Sequence, residues 1–394
     1  MSGAAVRHLY VHLPFCAHRC GYCDFVTAVG RPDAHGAYVE ALLAELARER
    51  GLLADRLETV YLGGGTPTFT EPGALEQLLS SLPSAAEITV EANPETVTPE
   101  LARLLRAAGV TRVSLGAQSF QPGLLRVLER RARPDDVRRA FYHLRLAGFD
   151  NISLDLIYGI PDQSASDLSR DLEEALALGP EHLSCYELEA KVGTRFTHVH
   201  GEELARQAEA MEGYFEQVVE VLVGVGYRWY ETANFCRPGQ ESRHNLAYWL
   251  GQDYVGLGVG AVSTVGARRW QNGPGLARYL AAATAGRRPP RELELRDAET
   301  KLRERLMLGL RLDVPLPLAE VEPALDPAAL VRLERLGLAE QSDGGLGLTR
   351  RGRFLGGGVT AELMAEPSPE GASTSLSGGF EQPSKHLQTA IFEL

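Results

Sequence analysis

The chain has 394 residues, 44% of them hydrophobic and 23% charged, a composition that fits one large globular domain with smaller appendages and excludes a disordered or fibrous chain. Its 52 acidic and 40 basic side chains give a net charge of -12, which offers no overall field to attract a polyanion and excludes nucleic acid as the main partner. No stretch approaches the ~20 apolar residues of a membrane span and the start lacks a signal-peptide pattern, so the sequence reads as soluble and cytoplasmic.

In chain order, six β-rich runs alternate with helical patterns up to about residue 190. The runs are HLYVHL (8 to 13), TVYLGG (59 to 64), EITVEA (87 to 92), RVSLGA (112 to 117), NISLDLIYG (151 to 159) and HLSCYELE (182 to 189). Between them AYVEALLAELARE, ALEQLLSSL, ELARLLRAAG and DLSRDLEEALALG carry apolar residues at i, i+3, i+4 and i+7. This predicts an α/β fold of βα units around a parallel sheet, either curved into a partial or complete barrel or laid out as a doubly wound open sheet. Beyond residue 200 the sequence predicts one long helix over EELARQAEAMEGYFEQVVEVLVGVG, an aromatic stretch YRWYETANF and a glycine-rich strand YVGLGVGAVS. The expected division is a core over 1–235, an extension over 236–290, a small helical or winged-helix-like module over 291–364 and a disordered tail over 365–394. In that module LTRRG reads as solvated charge rather than a nucleic acid contact.

Five cysteines make an odd count, and Cys16, Cys20 and Cys23 fall within one loop, CAHRCGYC, directly after the first strand. Spacings of three and two let one loop wrap a single [4Fe-4S] cube and leave one iron without a protein ligand. The competing reading is a Cys3His zinc site completed by His12 or His18, but zinc sites usually pair CxxC with a distant second pair, which this chain lacks. Cys185 and Cys236 read as inert thiols.

CxxxCxYC in the first loop resembles the radical S-adenosylmethionine (SAM) superfamily. YVHLPFCAHRCGYCDF resembles its branch of coproporphyrinogen dehydrogenases and the related HemW-type heme chaperones, over about Tyr10 to Met364. The resemblance implies a (β/α)6 partial TIM-like barrel in which SAM chelates the open iron and an electron from the cluster cleaves its sulfonium bond. It further implies that Tyr22 lies beside the SAM adenine and Tyr10 borders the cofactor. Gly64, Gly65 and Thr66 of the GGGTP element would hold the methionyl end, and Glu91, Gln118, Arg130 and Asp155 would supply the remaining SAM contacts. Polar residues at strand ends of such a barrel gather at one mouth, which agrees with that placement.

Two functions share this cluster: an oxygen-independent coproporphyrinogen III dehydrogenase, and a heme chaperone that delivers heme to apoproteins such as respiratory cytochromes. The dehydrogenases carry CxxxCxxCxC, whereas Phe25 occupies the position of the added cysteine here, which favours the chaperone. His244 to Trp249, HNLAYW, resembles the chaperones' HNxxYW motif, and His244 is the expected heme ligand. Taken alone, a histidine beside aromatic residues is more often a hydrogen-bonded core residue. The resemblance also implies an electron donor for the cluster, peripheral membrane contact only through the acceptor, and a monomer or dimer.

Overall fold

The computed structural model describes residues 5 to 189 and 195 to 365. The tail expected over 365–394 therefore lies, apart from Ala365, outside the described residues. Six strands, β1 (His8–Leu13), β2 (Leu57–Gly64), β3 (Ala85–Ala92), β4 (Arg112–Gln118), β5 (Ile152–Tyr158) and β6 (His182–Glu187), pair in parallel in that order. A doubly wound sheet reverses its strand order at a switch point, and no reversal occurs among these six, so the chain winds in one direction as a barrel does. Helices α1 (His35–Glu49), α2 (Pro72–Ser81), α3 (Pro99–Ala107), α4 (Pro122–Val127), α5 (Pro134–Leu146) and α6 (Ala165–Leu178) fill the connections. Pro72, Pro99, Pro122 and Pro134 each open a helix, where the missing N–H costs nothing and the fixed φ is helical already.

The sheet continues at both edges. On the far side of β6 lie the antiparallel strands β8 (Asn234–Cys236) and β7 (Arg228–Trp229). On the outer side of β1 lie β9 (Tyr254–Leu257), parallel to β1, then β10 (Val262–Val265), β11 (Arg268–Asn272) and β12 (Arg291–Leu295). This gives twelve strands, with β12 and β7 as unpaired edges among the described residues. Strand β12 pairs antiparallel with β11 along its whole length.

Side chains alternate along the six parallel strands. Val60, Leu62, Ile88, Val90, Val113, Leu115, Leu154, Leu156 and Leu183 belong to the main apolar core packed with the helices. The intervening positions Thr59, Glu87, Thr89, Arg112, Ser114, Ser153, His182 and Ser184 are polar and buried. Neighbouring strands bring these together in register, as in Thr59 opposite Glu87, Thr89 opposite Arg112 and Ser153 opposite His182. The interior of the curved sheet is therefore polar.

The long helix expected after residue 200 is broken. It forms α7 (Arg195–Gln207) and α8 (Met211–Gly224) around a 3-10 turn at Ala208–Ala210. At that break Gln207 Nε2 donates to the carbonyls of Ile160 (3.1 Å) and Gln163 (2.9 Å), and Tyr214 donates to the same Gln163 carbonyl at 2.6 Å. Satisfying the loop after β5 redirects the helix onto the sheet.

A second apolar cluster, from Leu306 to Leu363, forms the C-terminal module of α11 (Ala298–Gly309), α12 (Leu318–Val321), α13 (Pro327–Arg335), α14 (Arg350–Phe354) and α15 (Gly356–Leu363). A three-stranded sheet, β13 (Leu316–Pro317), β14 (Ala339–Ser342) and β15 (Gly345–Leu348), completes it. A buried ion cluster ties this module to the large sheet: Arg269 of β11 donates Nη1 and Nη2 to the two oxygens of Glu304 at 2.7 Å each, and Arg296 adds a 2.8 Å bond. Burial alone would raise the Glu304 carboxyl, but the hydrogen bonds and charges of Arg269 and Arg296 outweigh it and hold the group below its ordinary value. Replacing one member of such a cluster strands the others, so Arg269→Met is expected to lower stability by about 3 kcal/mol in urea unfolding; a loss under about 1 kcal/mol would show the cluster to be energetically neutral.

Candidate functional site

The curved sheet encloses a cavity of about 890 Å3, near the top of the range of about 300 to 1,000 Å3 usual for small-molecule sites. Cys16, Cys20, Cys23, Tyr22, Gly64, Gly65, Thr66, Glu91, Gln118, Arg130 and Asp155 all line it. Residues far apart in sequence converge because each sits at or near the C-terminal end of a strand or in the loop that follows. Tyr10 does not reach the wall: it is 1% exposed, stacks on Tyr61 and hydrogen-bonds His12 at 3.0 Å.

The cysteine loop starts from the short strand Phe15–Cys16, which pairs with Ala28–Val29 and closes the loop on itself. Gly64 and Gly65 allow this placement. A Cβ on Gly64, at φ 109°, would lie 2.5 Å from the His12 ring, and one on Gly65 would lie 2.6 Å from the Pro14 backbone. Their amides are committed within the fold: Gly64 N–H donates to Glu91 Oε2 (3.1 Å), Gly65 N–H to the Leu13 carbonyl (2.8 Å) and Thr66 N–H to the Phe15 carbonyl (2.8 Å). The glycine run thus brings the ends of β1 and β2 together rather than offering its N–H groups to a ligand.

Cys16 Sγ lies 3.6 Å from Thr66 Oγ1, and Arg130 Nη1 donates to Cys20 Sγ at 3.8 Å. Burial pushes the Cys23 thiol up to about 12 and raises Cys16 as well, so a bare thiolate is unfavourable here and a bound cation would supply the missing charge. Among the described residues no three His, Cys, Asp or Glu side chains gather closely enough for a single ion. Cys16, Cys20 and Cys23 all line the cavity, where a cube could take one thiolate on each of three irons. The histidines of the zinc alternative are engaged elsewhere: His12 Nε2 pairs with the Val26 carbonyl (2.8 Å), and His18 Nε2 turns to the Glu129 carbonyl. Arg130 also reaches Asn93 Oδ1 (2.9 Å) and the Gly116 carbonyl (2.8 Å), while its Nε is buried without a partner, as beside a site built for a ligand.

Glu91 accepts from Tyr61 (2.8 Å) and Gly64, yet burial pushes its carboxyl up to about 8. Asp155 is also raised by burial and accepts from Ser114 at 3.0 and 3.1 Å. Gln118 holds φ 64°, the left-handed region that a residue with a side chain seldom adopts, at a register shift of β4 against β5.

His244 stands apart from this cavity. It opens α9 (Arg243–Trp249), which closes the N-terminal end of the strands, and it is 0% exposed. Its Nδ1 pairs with Thr59 Oγ1 (2.7 Å) and its Nε2 with Tyr248 (3.3 Å), and its ring stacks on Tyr61 at 5.1 Å. Glu87 accepts from the Arg243 and His244 amides at 3.3 Å each, placing a carboxylate at the helix N-terminus. Both ring nitrogens are thus hydrogen-bonded within the fold, and the ring's neighbours Tyr61, Asn245 and Trp249 line the cavity. Burial also drives the imidazole well below its ordinary value, which keeps it neutral. Sequence reasoning missed Asn93, Arg112, Tyr186, Glu231, Arg311 and Arg353, all of which line the cavity, as does Trp249 of the HNLAYW segment. Asn93 was within reach, since it follows β3 in the same VEANPE segment as Glu91.

The family model of the Radical SAM superfamily matches residues 10–175, and that of the HemN C-terminal domain matches residues 297–355. A Mycobacterium tuberculosis protein named heme chaperone HemW is 37% identical over 378 residues, covering 90% of this chain and 94% of that protein. The Bacillus subtilis heme chaperone HemW is 32% identical over 379 residues, covering 92% and 100%. Among solved structures, the Escherichia coli coproporphyrinogen III oxidase HemN, a radical SAM enzyme, superposes with a TM-score of 0.77 at 23% identity over 91% of this chain and 90% of that one, a likeness of fold. A cysteine loop at the strand ends, the radical SAM match over the first five of the six central strands and relatives matched along almost their whole length converge: the chain belongs to the HemW family of the radical SAM superfamily.

Proposed function

We propose that this protein binds heme and hands it to apoproteins such as respiratory cytochromes in the cytoplasm, with a [4Fe-4S] cluster and SAM held in the barrel cavity. The observation that carries this reading is 37% identity across 94% of a protein named heme chaperone. Phe25 supports it, standing on the cavity wall where the resembling dehydrogenases carry a further cysteine. Among the described residues no helix is long and apolar enough to cross a membrane, which agrees with contact to membrane cytochromes through the acceptor alone.

In this reading Cys16, Cys20 and Cys23 hold three irons of the cluster, and the fourth is left for the amino and carboxylate groups of SAM. When bound, the cluster would supply an electron to the SAM sulfonium. Tyr22 would border the adenine, and Gln118 and Asp155, on the same cavity wall, would supply further contacts to SAM. Arg130 keeps the loop closed by spanning Cys20, Asn93 and the Gly116 carbonyl. Glu91, whose carboxyl burial raises, is a group whose protonation a cationic ligand would shift.

That change has a definite sign. With its carboxyl near 8, Glu91 is protonated at neutral pH, and a positively charged SAM favours the carboxylate. SAM affinity is therefore expected to rise about tenfold per pH unit below 8 and level off above it, with proton release on binding. Titration calorimetry of the cluster-loaded protein in two buffers of different ionisation enthalpy measures both, and a wild-type profile matching a flat Glu91→Gln profile would remove Glu91 from the site.

For the overall function, anaerobically reconstituted protein is expected to bind heme tightly and to leave coproporphyrinogen III unchanged. Robust decarboxylation without heme affinity would reassign the chain to the dehydrogenases. His244→Ala is expected to cost about 2 kcal/mol of stability through the loss of two buried hydrogen bonds, with the heme absorption spectrum unchanged. A lost axial-ligand signature in a still folded variant would identify His244 as the ligand.

A further inference from the structure

The cavity extends past the cysteine loop to a wall built from the C-terminal module, and that wall holds two arginines with unfinished hydrogen bonding. Arg353 of α14 lies with its guanidinium carbon 3.6 Å above the Trp229 ring and donates Nη1 to the Trp229 carbonyl at 2.9 Å. Its Nε and Nη2 are buried and have no partner among the described residues. Arg311 lies 4.3 Å above the Trp249 ring, again with a buried and unpartnered Nε. Both arginines line the cavity.

Of the nearby carboxylates, Glu231 pairs with Arg311, and none pairs with Arg353 among the described residues. Asp313 is held by Arg228 in a two-bond fork, at 2.6 and 2.7 Å. Glu231 is fully buried and spends one oxygen on the Ala233 amide (2.9 Å) and on Asn234; its other oxygen stands 3.6 Å from Arg311. Arg353 has no carboxylate within ion-pair distance among the described residues, and burial brings its guanidinium down to about 10. A buried cation with two unused donors is costly unless a ligand completes it, and the planar fork matches a carboxylate. Around these heads Phe215, Met307, Leu308 and Phe354 supply an apolar surface that suits a flat macrocycle.

We propose that Arg353 and Arg311 form a carboxylate clamp that receives the propionate side chains of a tetrapyrrole, with the ring against the apolar wall beside the cluster. The choice of a tetrapyrrole rests on the heme-binding reading above, whereas the clamp rests on the two arginines themselves. Of the three arginines in the LTRRGRF segment, Arg350 and Arg351 are exposed, as solvated charge should be, and Arg353 alone turns inward.

The test titrates cluster-loaded protein with heme, protoporphyrin IX and the dimethyl ester of each, following absorbance and tryptophan fluorescence. In wild type the diacids are expected to bind at least about tenfold more tightly than the esters, the cost of losing a charge-assisted fork. Arg353→Gln should bring the diacids to the ester level and leave ester affinity and cluster absorbance unchanged. Arg311→Gln provides the second readout should loss of the Trp229 contact unfold the first variant. Diacid binding by both variants at wild-type strength, or wild-type protein that does not prefer acid to ester, overturns the clamp. Protein that takes protoporphyrin IX through the arginines but shows no affinity for heme keeps the clamp and overturns the heme reading instead.

Discussion

The cost of burying polar groups inside a parallel sheet governs this molecule. Parallel strands covered by helices usually carry apolar side chains on both faces. Here the helix-facing positions are apolar, while the inward positions hold Glu87, Glu91, Arg112, Asp155 and His182. Each buried polar group demands a partner, and the fold supplies these from neighbouring strands at the N-terminal end and from α9 as a plug. Toward the C-terminal ends the demand is only partly met, as the lone Arg130 Nε and the raised Glu91 carboxyl show. Among the described residues Arg112 Nε and Thr89 Oγ1, deeper in the barrel, are also left without partners, so the unmet demand runs through the interior as well as at the mouth.

The same accounting separates two motifs that look alike in sequence. The cysteine loop and the HNxxYW segment both combine metal-binding residue types with aromatic neighbours. The cysteines stand on a cavity wall in a region where burial penalises the free thiolate, a situation relieved by metal. His244 has the opposite surroundings, with two hydrogen bonds, a stacked tyrosine and the Glu87 carboxylate under its helix.

Much of this was legible beforehand, and the part that was not has a physical reason. All six central strands fall where β-rich runs stood, because short runs bounded by turn residues carry their own signal. Strand order needed the structure, since periodicity cannot tell a winding sheet from a doubly wound one. The polar interior was visible in principle: Thr59 and Tyr61, Glu87, Thr89 and Glu91, and Ser153 and Asp155 alternate with apolar residues in strands whose helical connections marked them as parallel. The break at Ala208–Ala210 was not visible, because it answers the carbonyls of Ile160 and Gln163 in a distant loop. Arg353 was hidden for a related reason. Nothing within LTRRGRF tells which arginine turns inward until β14 and β15 fix the orientation of the following helix.

That orientation follows from two local details. Asp343 and Gly344 both have positive φ, the geometry of a tight two-residue turn, and they lock the register of β14 against β15. Gly352 then packs so near this hairpin that a Cβ would stand 1.8 Å from the Leu338 carbonyl. Since each residue advances a helix by about 100°, deleting or inserting one amino acid between Leu338 and Gly352 would swing the next side chain away from the cavity. Segment length here is consequently as constrained as residue identity, and lineages that lengthen or shorten this hairpin would have to recruit a different cation to the wall.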